Sequence, residues 1–270
     1  MIQKHNYFIV PDDIFSDENN WQFVLPIFAQ IRSRTDFTGR CITATAKLVQ
    51  ACGYKYHGPC KSQNHVEKTC EALNLLVQRD YFYDPVDAIT GKPIENFHDI
   101  SPLTFFEVHV NTEMCNVSAG GYCTIYPYLY DKLQAAYQNE SSVKLWRLMA
   151  VFCFISKHIW KHWDINYDTS DIVTYRKLRY DNPEYYGSTI TNMCEKLPGM
   201  SRATIEKVID YLDRHEIIHR RKIGSLVASN GNTIQLGSVF VLDKVGWDSE
   251  IEGAAIQCRK NREEWFCKDK

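Results

Sequence analysis

SRATIEKVIDYLDRHEIIHRRKIGSLVASNGNTIQLGSVFVL, residues Ser201–Leu242, is the stretch on which the fold turns. Ser201 precedes Arg202-Ala203-Thr204-Ile205-Glu206, the setting of an N-cap serine whose hydroxyl can accept a first-turn amide. Ile205, Val208, Ile209 and Leu212 recur at three and four residues, so a helix that buries this stripe runs to about Arg214 or His215. Upstream, Thr189–Leu197 predicts a shorter helix with Ile190, Met193, Cys194 and Leu197 on one side, ended by Pro198-Gly199. Downstream, Ile217–Gly224 and Thr233–Leu242 read as strands, and Ser229-Asn230-Gly231-Asn232 between them supplies an Asn-Gly turn. The hairpin sets His219, Arg220, Arg221 and Lys222 beside the longer helix.

Two helices joined by a tight turn are a helix-turn-helix, and with a hairpin behind them the pattern resembles a winged helix. The order recurs earlier in the chain. Tyr7-Phe8-Ile9-Val10-Pro11 matches Cys123-Thr124-Ile125-Tyr126-Pro127 as a strand closed by proline. The segment from Asn64 aligns with the later helix so that Leu73, Leu76 and Phe82 fall on Ile209, Leu212 and Ile218, and Thr104–Val110 becomes a wing strand. The expectation is an α+β fold, mainly α: two winged-helix domains in tandem, residues 1–115 and 116–246, followed by a C-terminal helical tail, 247–270. Ile251, Ala254, Ala255 and Cys258 give that tail one apolar side, by which it either folds back on its own domain, the favoured expectation, or pairs with another copy.

A length of 270 residues allows two cores, and 44% hydrophobic with 24% charged residues gives no sign of general disorder. The longest apolar run, Leu145–Ile155, contains Arg147 and is too short to cross a bilayer. Leu145, Trp146, Leu148, Met149, Val151, Phe152 and Ile155 cover most of a helix surface, so this helix is expected at the centre of the second half. Met1-Ile2-Gln3-Lys4-His5 opens no apolar stretch of signal length, and a cytoplasmic protein without a membrane partner is expected.

Chemistry-bearing clusters are sparse. The ten cysteines contain no Cys-x-x-Cys pair and are expected as thiols. Cys52, His57 and Cys60, with His65 as a fourth group, come nearest to a metal set but lack the tight pairs of structural zinc, so no metal and no cofactor is expected. His158 and His162 have helical pair spacing without the glutamate of a zinc protease, and Gly120-Gly121 is not followed by Lys-Ser/Thr. No nucleophile elbow occurs, and an enzyme is not expected.

The net charge of -2 is low for a DNA binder, so the distribution of charge matters more than its total. Arg176, Lys177 and Arg179 are expected in a loop before the helix-turn-helix, Arg202 and Lys207 on its second helix, and Arg220, Arg221 and Lys222 on the wing. Ser201, Arg202, Thr204 and Lys207 are the expected approach to double-stranded DNA, with Arg202 placed to hold a guanine bidentately. Arg220, Arg221 and Lys222 would hold phosphates regardless of sequence. Asn64, His65 and Lys68 are the first half's equivalents, next to Glu67 and Glu71, which would repel phosphate.

Paired winged helices, each opened by a strand and a proline, resemble the replication initiators of plasmids and phages. The resemblance implies a double-stranded DNA partner, a grip on repeated origin sequences by both halves, and a homodimer built through one of them. A winged-helix transcriptional regulator would share these features. A winged helix can also dock a protein instead of DNA, and the many tyrosines, Tyr126, Tyr128, Tyr130, Tyr137, Tyr167, Tyr175, Tyr180, Tyr185 and Tyr186, suit such a surface.

Overall fold

The computed structural model describes residues 7–58, 60–113, 122–161, 171–227 and 231–268. Cys115, Gly120-Gly121, His162, Tyr167 and Ser229-Asn230 of the expected turn lie outside the described residues. The chain is α+β, about 51% helical and 21% strand, and the sheets among the described residues are small and antiparallel. It forms two compact units, 7–153 and 154–270.

The first unit contains β1 (Phe8–Pro11), α1 (Asp12–Phe15), α2 (Val24–Arg34), β2 (Arg40–Ala44), α3 (Thr45–Ala51) and α4 (Gln63–Gln78). It continues with β3 (Phe82–Asp87), β4 (Phe105–Val110), β5 (Tyr122–Ile125), α5 (Pro127–Asn139) and α6 (Leu145–His158) as far as Cys153. Helices α2 and α4 turn Leu25, Ile27, Phe28, Leu73 and Leu76 into the core, where Phe28 stacks on Phe82 at 5.9 Å. The two strand-proline segments, read above as openings of separate halves, pair with each other in antiparallel register from Phe8 opposite Ile125 to Pro11 opposite Tyr122. Each ribbon alone would leave its ladder unpaired; together they bury Phe8, Val10, Cys123 and Ile125. This pairing returns the chain beyond residue 121 to the first unit. The boundary between units therefore falls after Cys153, past the expected 115/116.

The second unit contains the end of α6, then α7 (Ile172–Asp181), β6 (Tyr186–Ser188), α8 (Ile190–Lys196), α9 (Arg202–Arg214), β7 (Ile218–Val227), β8 (Thr233–Leu242) and α10 (Trp247–Lys268). Both units run helix, strand, helix, helix, strand, strand, with sheet orders β2-β4-β3 and β6-β8-β7 that place the last strand in the middle. Leu73, Leu76 and Phe82 are as fully buried as Ile209, Leu212 and Ile218.

Arg176, Lys177 and Arg179 lie on α7, not in a loop, because Asp171 caps that helix by accepting the Val173 and Thr174 amides. Arg179 faces inward at 3% exposure. Its Nη1 meets Glu184 Oε2 at 2.9 Å and Glu250 Oε1 at 3.2 Å, and Lys244 Nζ meets the same two oxygens at 2.7 and 3.2 Å. Two cations and two carboxylates thus balance inside the unit and join α7, the loop before β6, the end of β8 and α10. Burial works to raise the Glu184 carboxyl, but Lys244 and Arg179 outweigh it and hold the group at about 2.

Helix α10 folds back as expected and places Ile251, Ala254 and Cys258 against Ile223, Leu236, Val239 and Val241 of the sheet. It approaches α7 closely enough that a Cβ on Gly253 would land on the Tyr180 carbonyl. Gly253→Ala is expected to cost about 1–3 kcal/mol by overpacking, read as a lowered urea midpoint; an unchanged midpoint would mean the helices do not touch there.

Glu184→Gln strands buried positive charge, with an expected cost near neutral pH of about 3–5 kcal/mol. The Glu184 carboxyl lies below its ordinary 4.5 in the folded chain, so its stabilisation is full above 4.5 and fades as pH falls towards 2. Urea unfolding across that window should show wild type and Glu184→Gln converging as the medium is acidified. A gap independent of pH would contradict the charge pairing.

Candidate nucleic-acid interface

Alternation along β7 sends successive side chains to opposite faces of the sheet. His219, Arg221 and Ile223 face α10: His219 stacks on Trp247 at 3.5 Å, and Arg221 pairs with Glu252. Arg220 and Lys222 face the other way, towards α8 and α9. Arg220 Nε donates to Ser238 Oγ at 3.1 Å and its Nη1 to Asp210 Oδ1 at 3.3 Å, while its amide donates to Asp213 at 3.1 Å. Burial raises the Asp213 carboxyl against the lowering effect of that amide.

Ser201 caps α9 as expected, its Oγ accepting the Thr204 amide at 3.2 Å and lying 2.9 Å from Thr204 Oγ1. The next residue, the exposed Arg202, donates from Nε to Glu206 Oε1 one turn further on, at 3.1 Å. An open groove of about 600 Å³ lies between these elements, lined by Arg202 and Glu206 of α9, Arg220 and Lys222 of β7, and polar groups including Thr189, Thr191, Gln235 and Ser238. Three cations surround one carboxylate. Arg202 comes from the helix and the other two from the strand, so only folding brings them together.

Among the other expected contacts, Arg221 is on the opposite face, bound to α10. Ser201, Thr204 and Lys207 do not line the groove; Lys207 is exposed, one residue round the helix from Glu206. Glu206, Asp210, Gln235 and Ser238 were not among the expected site residues. The i, i+4 spacing of Arg202 and Glu206 was visible in the sequence, whereas the register that brings Ser238 opposite Lys222 was not.

The first unit's equivalents form no such cluster. His65 stacks on Tyr54 at 4.1 Å, Lys68 is paired with Glu71 at 2.8 Å, and Asn64 is exposed. At the offset that places Phe82 on Ile218, Asp84 and Val86 stand where Arg220 and Lys222 stand. The outer face of the first sheet leaves Ile42, Tyr83 and Phe105 exposed at 51%, 44% and 41%.

Cys52 is buried with Sγ directed at the Phe23 carbonyl, Cys60 is exposed, and among the described residues no group of three or more His, Cys, Asp or Glu side chains is placed to hold a metal ion. Among the tyrosines, Tyr128 and Tyr180 are exposed and Tyr130 and Tyr175 are buried. No described helix is long and apolar enough to cross a membrane.

No protein-family profile matches the chain, and no curated protein or solved structure shows significant similarity to it.

Replacing Ser201 with alanine removes the α9 cap and is expected to lower stability by about 0.5–2 kcal/mol. Threonine or aspartate there should restore most of it in thermal unfolding, and equal loss from all three would contradict a capping role.

Proposed function

We propose that the chain binds double-stranded DNA through its second unit, read as a winged helix with α8 and α9 as the helix-turn-helix and β7–β8 as the wing. The observation that carries this reading is the groove in which Arg202 of α9 and Arg220 and Lys222 of β7 converge. In this reading the first turns of α9 enter the major groove, Arg202 reaches base edges, and Arg220 and Lys222 hold phosphates. Arg220 retains N–H donors beyond its bonds to Ser238 and Asp210.

The repeated element order supports reading the first unit as a second winged helix. Its carboxylate-bearing hairpin and its exposed Ile42, Tyr83 and Phe105 favour protein contact over phosphate in that half. In our reading the chain acts in the cytoplasm in the manner of the replication initiators of plasmids and phages, a reading that the repeated element order supports. A homodimer would then present two α9 helices to a two-fold site. A transcriptional regulator would make the same DNA contacts.

Anisotropy titrations of the full chain with a random-sequence duplex over a salt series test the proposal. Binding should weaken steeply with salt. Lys222→Ala should weaken all sequences alike and shallow the salt slope by about one, while Arg221→Ala should leave binding unchanged. On a selected site, Arg202→Ala should cost about 1–3 kcal/mol and relax one base preference. Absence of duplex binding, or binding indifferent to salt, would overturn the reading.

A further inference from the structure

Glu206 is the one carboxylate among the groove-lining residues. A negative charge there opposes phosphate on every duplex, so it weakens binding unless some ligand group compensates it. Its Oε1 is engaged by Arg202 Nε at 3.1 Å, and the side chain is 42% exposed, which leaves acceptor capacity towards the groove.

In the major groove the compensating groups are the amino groups of cytosine and adenine. Adenine carries the N7 acceptor beside its amino group and would repel a carboxylate; cytosine presents only carbon there. Arg202, held by Glu206 through Nε, keeps the two terminal nitrogens of its guanidinium for the O6 and N7 acceptors of guanine. The two residues are one helical turn apart, a rise of about 6 Å, and base steps are about 3.4 Å, so both side chains reach neighbouring pairs.

Resting on the DNA-binding reading above, we infer that Glu206 is a specificity-determining residue that accepts a hydrogen bond from a cytosine amino group next to a guanine read by Arg202. The carboxylate gives up general affinity and gains discrimination.

The test is site selection from a randomised duplex pool with the full-length wild type, Glu206→Gln and Glu206→Ala, followed by titrations on the selected site and its single-base variants. Wild type should enrich a cytosine beside a guanine, with each other base at the cytosine position binding about tenfold more weakly. Glu206→Gln should move that position to adenine, which glutamine holds bidentately, and keep the guanine. Glu206→Ala should lose the preference and bind random duplex more tightly than wild type, an outcome that a merely structural glutamate would not give. If wild type selects a site and both variants select the same one, this inference is overturned and the DNA-binding reading stands. If wild type binds no duplex, both fall.

Discussion

Strand β7 has two faces, and α10 occupies one of them. The four-charge cluster of Arg179, Glu184, Lys244 and Glu250 ties α10 to α7, and Gly253 lets the two helices approach closely at Tyr180. With α10 in that position, His219, Arg221 and Ile223 are taken up by Trp247, Glu252 and the apolar stripe of the helix. Only Arg220 and Lys222 remain for the groove beside α9. The chemistry of the exposed side is thus set by what is packed behind it. A basic triplet that reads as one patch in sequence becomes two residues of a site and one structural ion pair.

Sequence reasoning reached the parts of this arrangement that depend on neighbours along the chain. The stripe Ile205, Val208, Ile209 and Leu212 and the cap at Ser201 define α9, and the span read for the second wing strand is that of β8. Pairings across the chain were out of reach. The bulges between Lys222 and Ser225 and the opposition of Lys222 to Ser238 arise from packing on two sides of the sheet. The burial of Arg179 was hidden because its two carboxylates lie 5 and 71 residues along the chain, at Glu184 and Glu250, and charged residues read singly look like surface. The pairing of β1 with β5 was hidden for the opposite reason: their likeness suggested equivalent roles in two halves, whereas edge strands of similar length and polarity also suit each other as partners.

The two units share an order of elements and differ in electrostatics. Where β7 carries Arg220 and Lys222, β3 carries Asp84 and Val86, although the helix cations are alike in being paired along the helix, Arg202 with Glu206 and Lys68 with Glu71. The second sheet has α10 on its outer face; the first exposes Ile42, Tyr83 and Phe105 on its own. The second unit therefore presents a cationic groove, and the first a mixed sheet face on which Ile42, Tyr83 and Phe105 surround the Arg40, Glu107 and His109 cluster. On the DNA-binding proposal, this difference assigns the phosphate contacts to the second unit alone.

The cations of the second unit are also held close to acids. Arg202 is paired with Glu206 at the surface, and the largely covered Arg220 with the exposed Asp210. The exposed Arg202–Glu206 pair contributes about 0–1 kcal/mol, so a ligand group can share either partner at small cost. At a distance, however, each pair is nearly neutral, and the whole molecule carries a net charge of -2. Long-range attraction of an anionic ligand is therefore moderated by these acids, and short-range contacts gain in weight beside it. A surface built this way adds, to the attraction that Lys222 and Arg220 exert on any anion, a preference for ligands whose donors and acceptors match the groups beside those cations.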